Sequence, residues 1–123
     1  MRMNPALLLA AVLALFPLAG VAGETQIVDV KELAGRWQGS VTREAGQDHA
    51  TMIVSPDGSY RSLTRHGAST EGMFYLQGGT LRYRSSRTTG TASLADEDGK
   101  TVLTMIPSEP RYGAGRAEYE RVE

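Results

Sequence analysis

From Gly35 to the C-terminus the chain breaks into strand-length runs of alternating apolar and polar residues, cut at short intervals by glycine-bearing turns. This pattern constrains the fold most, because alternation with a period of two places successive side chains on opposite faces of a pleated strand. Ser55-Pro56-Asp57-Gly58 is a turn with a mechanism: the proline presets φ and the glycine accepts positive φ. Gln77-Gly78-Gly79 and Asp96-Glu97-Asp98-Gly99 have the composition of hairpin turns. Further breaks fall at Gly46-Gln47-Asp48, Gly67-Ala68, Arg87 to Gly90 and Pro107 to Gly115. The result is about eight strands at the roughly 8–12-residue spacing of an all-β barrel or sandwich. No stretch after Gly35 has a helical period of useful length, which excludes βαβ units. Short turns between consecutive strands favour an up-and-down meander, and closing eight strands on themselves removes both exposed sheet edges. The expected fold is therefore all-β, a small antiparallel up-and-down barrel.

The N-terminus belongs to a different class of segment. Arg2 gives a short positive region, Ala6 to Phe16 is unbroken apolar sequence, and Pro17 and Gly20 interrupt any helix. Gly20-Val21-Ala22 or Val21-Ala22-Gly23 supplies the small-x-small pattern of a cleavage site. The apolar run is shorter than the ~20 residues a bilayer span requires. Residues 1–23 read as a cleavable signal peptide with a helical apolar core, and 24–123 as a single domain. The expected location is periplasmic or secreted. The chain has no cysteine, so it lacks a lipobox, disulfides and thiolate metal sites. A domain of this size then relies on core packing and sheet pairing alone. Without residues 1–23 it keeps 12 basic and 14 acidic side chains, which gives no electrostatic reason to expect a nucleic-acid partner. Before Gly35, Asp29 can cap a short helical turn from Val30 to Ala34, with Glu32 as capping-box partner.

Alternation assigns faces. Leu81, Tyr83 and Ser85 share one face and should point inward, with Arg82 and Arg84 outward. Ala117, Tyr119 and Arg121 share a face, as do Trp37, Gly39 and Val41. Met73 to Leu76 and Val102 to Ile106 are apolar on both faces, which calls for cover by the helical turn or by a second copy of the chain. A homodimer is one expectation from this pattern.

Leu33-Ala34-Gly35-Arg36-Trp37, the meander, and the closing Glu118-Tyr119-Glu120-Arg121-Val122 resemble the lipocalin-like (calycin) barrels, especially short bacterial members. The resemblance implies that the Gly-x-Trp tryptophan plugs the barrel base and that an arginine of the last strand packs across it. By position these are Gly35, Trp37 and Arg121. A guanidinium over an indole face is worth roughly 0.5–2 kcal/mol. The chain departs from full lipocalins in its short strands and in lacking the common disulfide. A low barrel can be filled by Trp37, Tyr60, Phe74 or Tyr75, Tyr83 and Tyr119, so Tyr60, Tyr75, Tyr83 and Tyr119 are candidate interior-lining residues.

Chemistry-bearing patterns are sparse. His49 and His66 would need Asp48 or Glu71 alongside to hold a metal, and the preferred reading is two ordinary polar-face histidines. No Gly-x-Ser-x-Gly elbow occurs, and Asp96 and Asp98 belong to a turn. No catalytic residue, metal site or cofactor is expected, and the chain does not read as an enzyme. Arg61, Arg65, Arg82, Arg84 and Arg87 form a candidate anion- or partner-binding face, against which stands an ordinary solvated wall paired to Glu71, Glu118 or Glu120. Two functional expectations follow. One is an exported binding protein of the bacterial envelope holding a small hydrophobic ligand or lipid in its barrel. The other is a filled barrel acting as a protein-interaction or inhibitor module through its loops or arginine face. An internal apolar cavity of roughly 300 Å³ or more would favour the first.

Overall fold

A computed structural model describes residues 24–44, 46–109 and 115–122. The expected signal peptide and most of the loop expected between Pro107 and Gly115 lie outside the described residues. The strands are β1 (Glu24–Thr25), β2 (Gly35–Arg43), β3 (Gly46–Val54), β4 (Ser59–Thr64), β5 (Ser69–Gln77), β6 (Thr80–Ser85), β7 (Thr89–Glu97), β8 (Lys100–Pro107) and β9 (Arg116–Arg121). Strands β2 to β9 pair in sequence order, all antiparallel, and β9 returns to β2 to close an eight-stranded barrel. The short β1 is extra and pairs with β7 through Glu24–Ala95 and Thr25–Leu94.

Two sequence-level boundaries shift. Gly46-Gln47-Asp48 is not a break, because Gly46, Gln47 and Asp48 already pair with Arg43, Thr42 and Val41. The loop expected from Arg87 to Gly90 is shorter, since β7 begins at Thr89. The hairpin turns are as tight as their composition implies: Gly78, Gly79, Asp98 and Gly99 all have positive φ, which suits the twist of the flanking strands.

The two ends of the barrel differ. At the base, Asp29 caps a single 3-10 turn over Val30–Leu33, its carboxylate accepting from Lys31 N–H at 2.9 Å. Glu32 reaches back to Val28 N–H at 3.2 Å rather than to the cap residue. The turn sets Leu33, fully buried, under the barrel. At the opposite, loop end lie the C-terminal ends of β2, β4, β6 and β8.

Alternation holds around the barrel. Trp37, Met52, Val54, Phe74, Leu81, Tyr83, Leu94, Leu103, Met105 and Tyr119 form one buried core. Trp37 is completely buried and donates its indole N–H to the Leu33 carbonyl at 3.0 Å. Arg121 pairs with Trp37 in the β2–β9 register and lies over the indole, 4.5 Å from guanidinium carbon to ring centroid. The same guanidinium donates to the Ala34 carbonyl at 2.9 Å and the Glu32 carbonyl at 2.7 Å. One side chain thus joins the last strand, the first long strand and the open carbonyls of the 3-10 turn.

Strands with two apolar faces find different solutions. Val30 of the 3-10 turn packs against the core beside Gly58. Val102, between Ala95 and Glu120, is buried on its outer side, while Ile106, Ile53 and Leu63 remain exposed.

Truncating Arg121 to Ala removes two charge-assisted hydrogen bonds and the ring contact, so a loss of about 2–4 kcal/mol in denaturant unfolding is expected. Arg121→Lys should restore only part, because an ammonium cannot fork to both carbonyls. Gly39→Ala should also be strongly destabilising, since an added Cβ would fall 1.8 Å from the Glu118 carbonyl oxygen. An unfolding midpoint unchanged by Gly39→Ala would contradict this strand spacing.

Candidate functional site at the loop end

Three tyrosines fill the upper half of the barrel, and each stands opposite a glycine on the neighbouring strand. The pairs are Tyr60–Gly72, Tyr83–Gly90 and Tyr119–Gly39. A Cβ built on Gly72 would meet the Tyr60 ring at 2.5 Å, and one on Gly90 the Tyr83 ring at 2.7 Å. The Tyr60 and Tyr83 rings lie across their glycines in the manner of aromatic rescue, whereas at Gly39 it is the β9 backbone that comes close. Phe74 packs between two of them, 4.8 Å from Tyr60 and 6.3 Å from Tyr83 by ring centroids.

Above these rings the interior turns polar. A cavity of about 80 Å³ is lined by the three tyrosines together with Ser62, Thr64, Thr70, Ser85 and Thr88, with Arg43 and Arg87 beside them. Burial raises the pKa of all three phenols, so each is a neutral hydrogen-bond donor. Tyr83 is pushed up to about 12 by burial, with the neighbouring Tyr119 adding to the rise. Tyr60 is raised by burial, and by Tyr83 and Tyr119, against a hydrogen bond with Ser85. Tyr119 is raised by burial against a hydrogen bond with Ser62 and the field of Arg43. At the rim, His66 Nδ1 lies 3.0 Å from the Asp48 carboxylate and holds that carboxyl below its ordinary value.

Of the residues expected to line the interior, Tyr60, Tyr83 and Tyr119 do so and Tyr75 does not. Tyr75 pairs with Arg82 on the outer wall, where Arg84 covers its ring at 5.3 Å. The reason is parity: Phe74 takes the inward position opposite Tyr83, so its neighbour must face out.

The five arginines expected to share one face are divided. Arg61 is tied to Glu71 at 2.8 Å on the exposed side of β4 and β5. Arg82 and Arg84 flank Tyr75 on the wall, and Arg65 follows β4 in its turn. Arg87 leaves the wall altogether and joins the loop-end cavity. Of the two histidines, only His66 meets Asp48, and among the described residues no three His, Asp, Glu or Cys side chains are placed to hold a metal.

Arg43, Ser62 and Ser85 were not singled out in sequence as site residues, although part of the signal is local. Once the β4–β5 turn is fixed, Tyr60 must oppose Gly72, and the β6–β7 turn likewise sets Tyr83 against Gly90. Arg43 enters only through the closure of the barrel.

A second recess, of about 310 Å³, lies at the seam where β6 gives way to β1 along β7. Ile27, Leu76, Leu81, Ala92 and Leu94 line it from the core side, and Thr91, Ser93, Thr104 and Ile106 from the outer side. Compared with known proteins, the chain matches no family model, no curated sequence and no solved structure.

The phenols give a definite alkaline behaviour. Their ordinary value is 10.0 and the folded values are higher, so between about pH 10 and 12 the unfolded chain has lost protons that the folded chain keeps. Stability is therefore full below pH 10 and falls as pH rises through this window. The denaturant midpoint should decline across it, and Tyr83→Phe should flatten the decline.

Proposed function

We propose that the chain is an exported, non-enzymatic binding protein of the cell envelope, a short lipocalin-like barrel that engages its target with its loop end. The observation that carries this reading is the filled interior. Trp37, Phe74 and the three inward tyrosines occupy the barrel, and the space left above them is about 80 Å³. That is room for a few waters or one small polar group, far below the roughly 300 Å³ of an ordinary small-molecule pocket. Eight short strands give a barrel just wide enough for its own side chains. The loop end concentrates polar and basic groups, which suits recognition of a polar target better than enclosure of a lipid. The lipocalin-like assignment rests on the barrel, on Gly35-x-Trp37 and on Arg121 across the indole. Export rests on the character of residues 1–23.

A carrier of a small hydrophobic ligand is the second reading, favoured by the seam recess beside Leu81 and Leu94. Native mass spectrometry of the protein purified from its own cells separates the two. The bare mature mass is expected, and a stoichiometric lipid adduct would overturn the loop-end reading. Photo-crosslinkers placed at Ser86, in the exposed β6–β7 turn, and at Glu97 provide the positive arm. Partner adducts are expected from the loop-end site, and adducts from position 97 alone would contradict it.

A further inference from the structure

Tyr83 poses the sharpest question in the cavity. Its side chain is 3% exposed, and its hydroxyl makes no hydrogen bond to any described residue. A buried phenol without a partner is costly, and native structures rarely leave one so. Ser85 lowers the pKa of Tyr60 and Ser62 that of Tyr119, whereas no such hydroxyl neighbour acts on Tyr83. Tyr83 therefore presents a spare donor to the loop-end cavity.

Two cations share its cavity. Arg43 and Arg87 line the same cavity, and among the described residues neither lies within salt-bridge distance of an acidic side chain. The acid nearest in influence, Asp48, feels Arg43 but is engaged by His66 at 3.0 Å. The cavity thus offers donors to an acceptor that carries negative charge. With Asp48 offsetting part of the field of Arg43, a monoanion fits the electrostatic balance better than a dianion. The inner wall adds Val41, Met105 and Ala117, which suits an anion carried on a short apolar stem.

We propose that the loop-end cavity is a binding site for a carboxylate group, which accepts a hydrogen bond from the Tyr83 hydroxyl and pairs with the guanidinium groups of Arg43 and Arg87. The carboxylate is that of a small organic acid or of a chain terminus; the two present the same chemistry. The inference rests on the loop-end reading of the function and names the group recognised there. Guanidinium forks match the planar geometry of a carboxylate, and such charge-assisted bonds are the strong ones.

The test is a titration of the purified protein followed by backbone amide NMR. The probes are butyrate, inorganic phosphate, and a short peptide with a free C-terminus beside its amidated form. Saturable shifts around Ser62, Tyr83 and Thr88 are expected with butyrate or with the free-terminus peptide. Response to butyrate identifies a small acid as the source, and response to the free-terminus peptide alone identifies a chain terminus. Tyr83→Phe keeps the ring over Gly90 and should weaken binding by roughly 10-fold, the size of one lost charge-assisted hydrogen bond. Arg87→Gln, in a surface loop, should do the same without changing the unfolding midpoint. The proposal is overturned if neither carboxylate probe saturates at these residues, if phosphate binds as well as butyrate, if the amidated peptide binds and does so as tightly as the free one, or if Tyr83→Phe binds like the wild type. Loop-end crosslinks formed by a protein that binds neither carboxylate probe would show that the loop-end reading survives while the carboxylate site fails.

Discussion

The contact between Arg121 and Trp37 is the constraint on which the rest of this barrel depends. A meander of short strands has a weak point where its first and last strands must meet, because that pairing is the most non-local in the chain and bears the largest closure entropy. Here the closing strand carries a cation that lies on the face of the only tryptophan and binds two carbonyls of the preceding 3-10 turn. Closure of the sheet and capping of the base are therefore one event. The indole N–H, bonded to Leu33, fixes the turn from the other side. A charge that would be costly in a barrel interior is satisfied by backbone oxygens that the short helix leaves open.

The opposite end is organised by a steric constraint. Three tyrosines can enter so small a barrel only because each faces a glycine across the ladder. At Gly72 and Gly90 the missing Cβ lets the Tyr60 and Tyr83 rings lie against the neighbouring backbone, and the rings fill the upper interior. The phenol oxygens are what remains, gathered beneath the rim with serine and threonine hydroxyls and two arginines. The same packing that fills the upper interior produces a small polar cavity rich in donors. The functional proposal follows from that geometry.

Much of the architecture was legible because its signals are local. Turn composition at Ser55–Gly58, Gly78-Gly79 and Asp98-Gly99 placed three hairpins, and alternation placed Leu81, Tyr83 and Tyr119 inward. The same rule leaves ambiguity where both neighbours are large and apolar. Phe74 and Tyr75 could each have faced the core, and only the register with Tyr83 and Arg82 chose between them. The arginines mislead for a related reason. Their spacing in sequence suggests one stripe, yet Glu71 and Tyr75 divide the wall and the β6–β7 turn carries Arg87 to the rim.

By itself the sequence determined that the chain is all-β, where its tight turns fall, and which faces of most strands point inward, because these are set by neighbouring residues and by a period of two. The tertiary structure decided which residues meet across the barrel. That Arg121 covers Trp37, that Tyr119 finds Gly39, and that Arg43 lines one cavity with Tyr83 are consequences of closure and stagger. Such contacts join strands distant in the chain, and no local preference encodes them. The candidate site is built from contacts of that kind, so the residues best placed to act are those that sequence alone did not bring together.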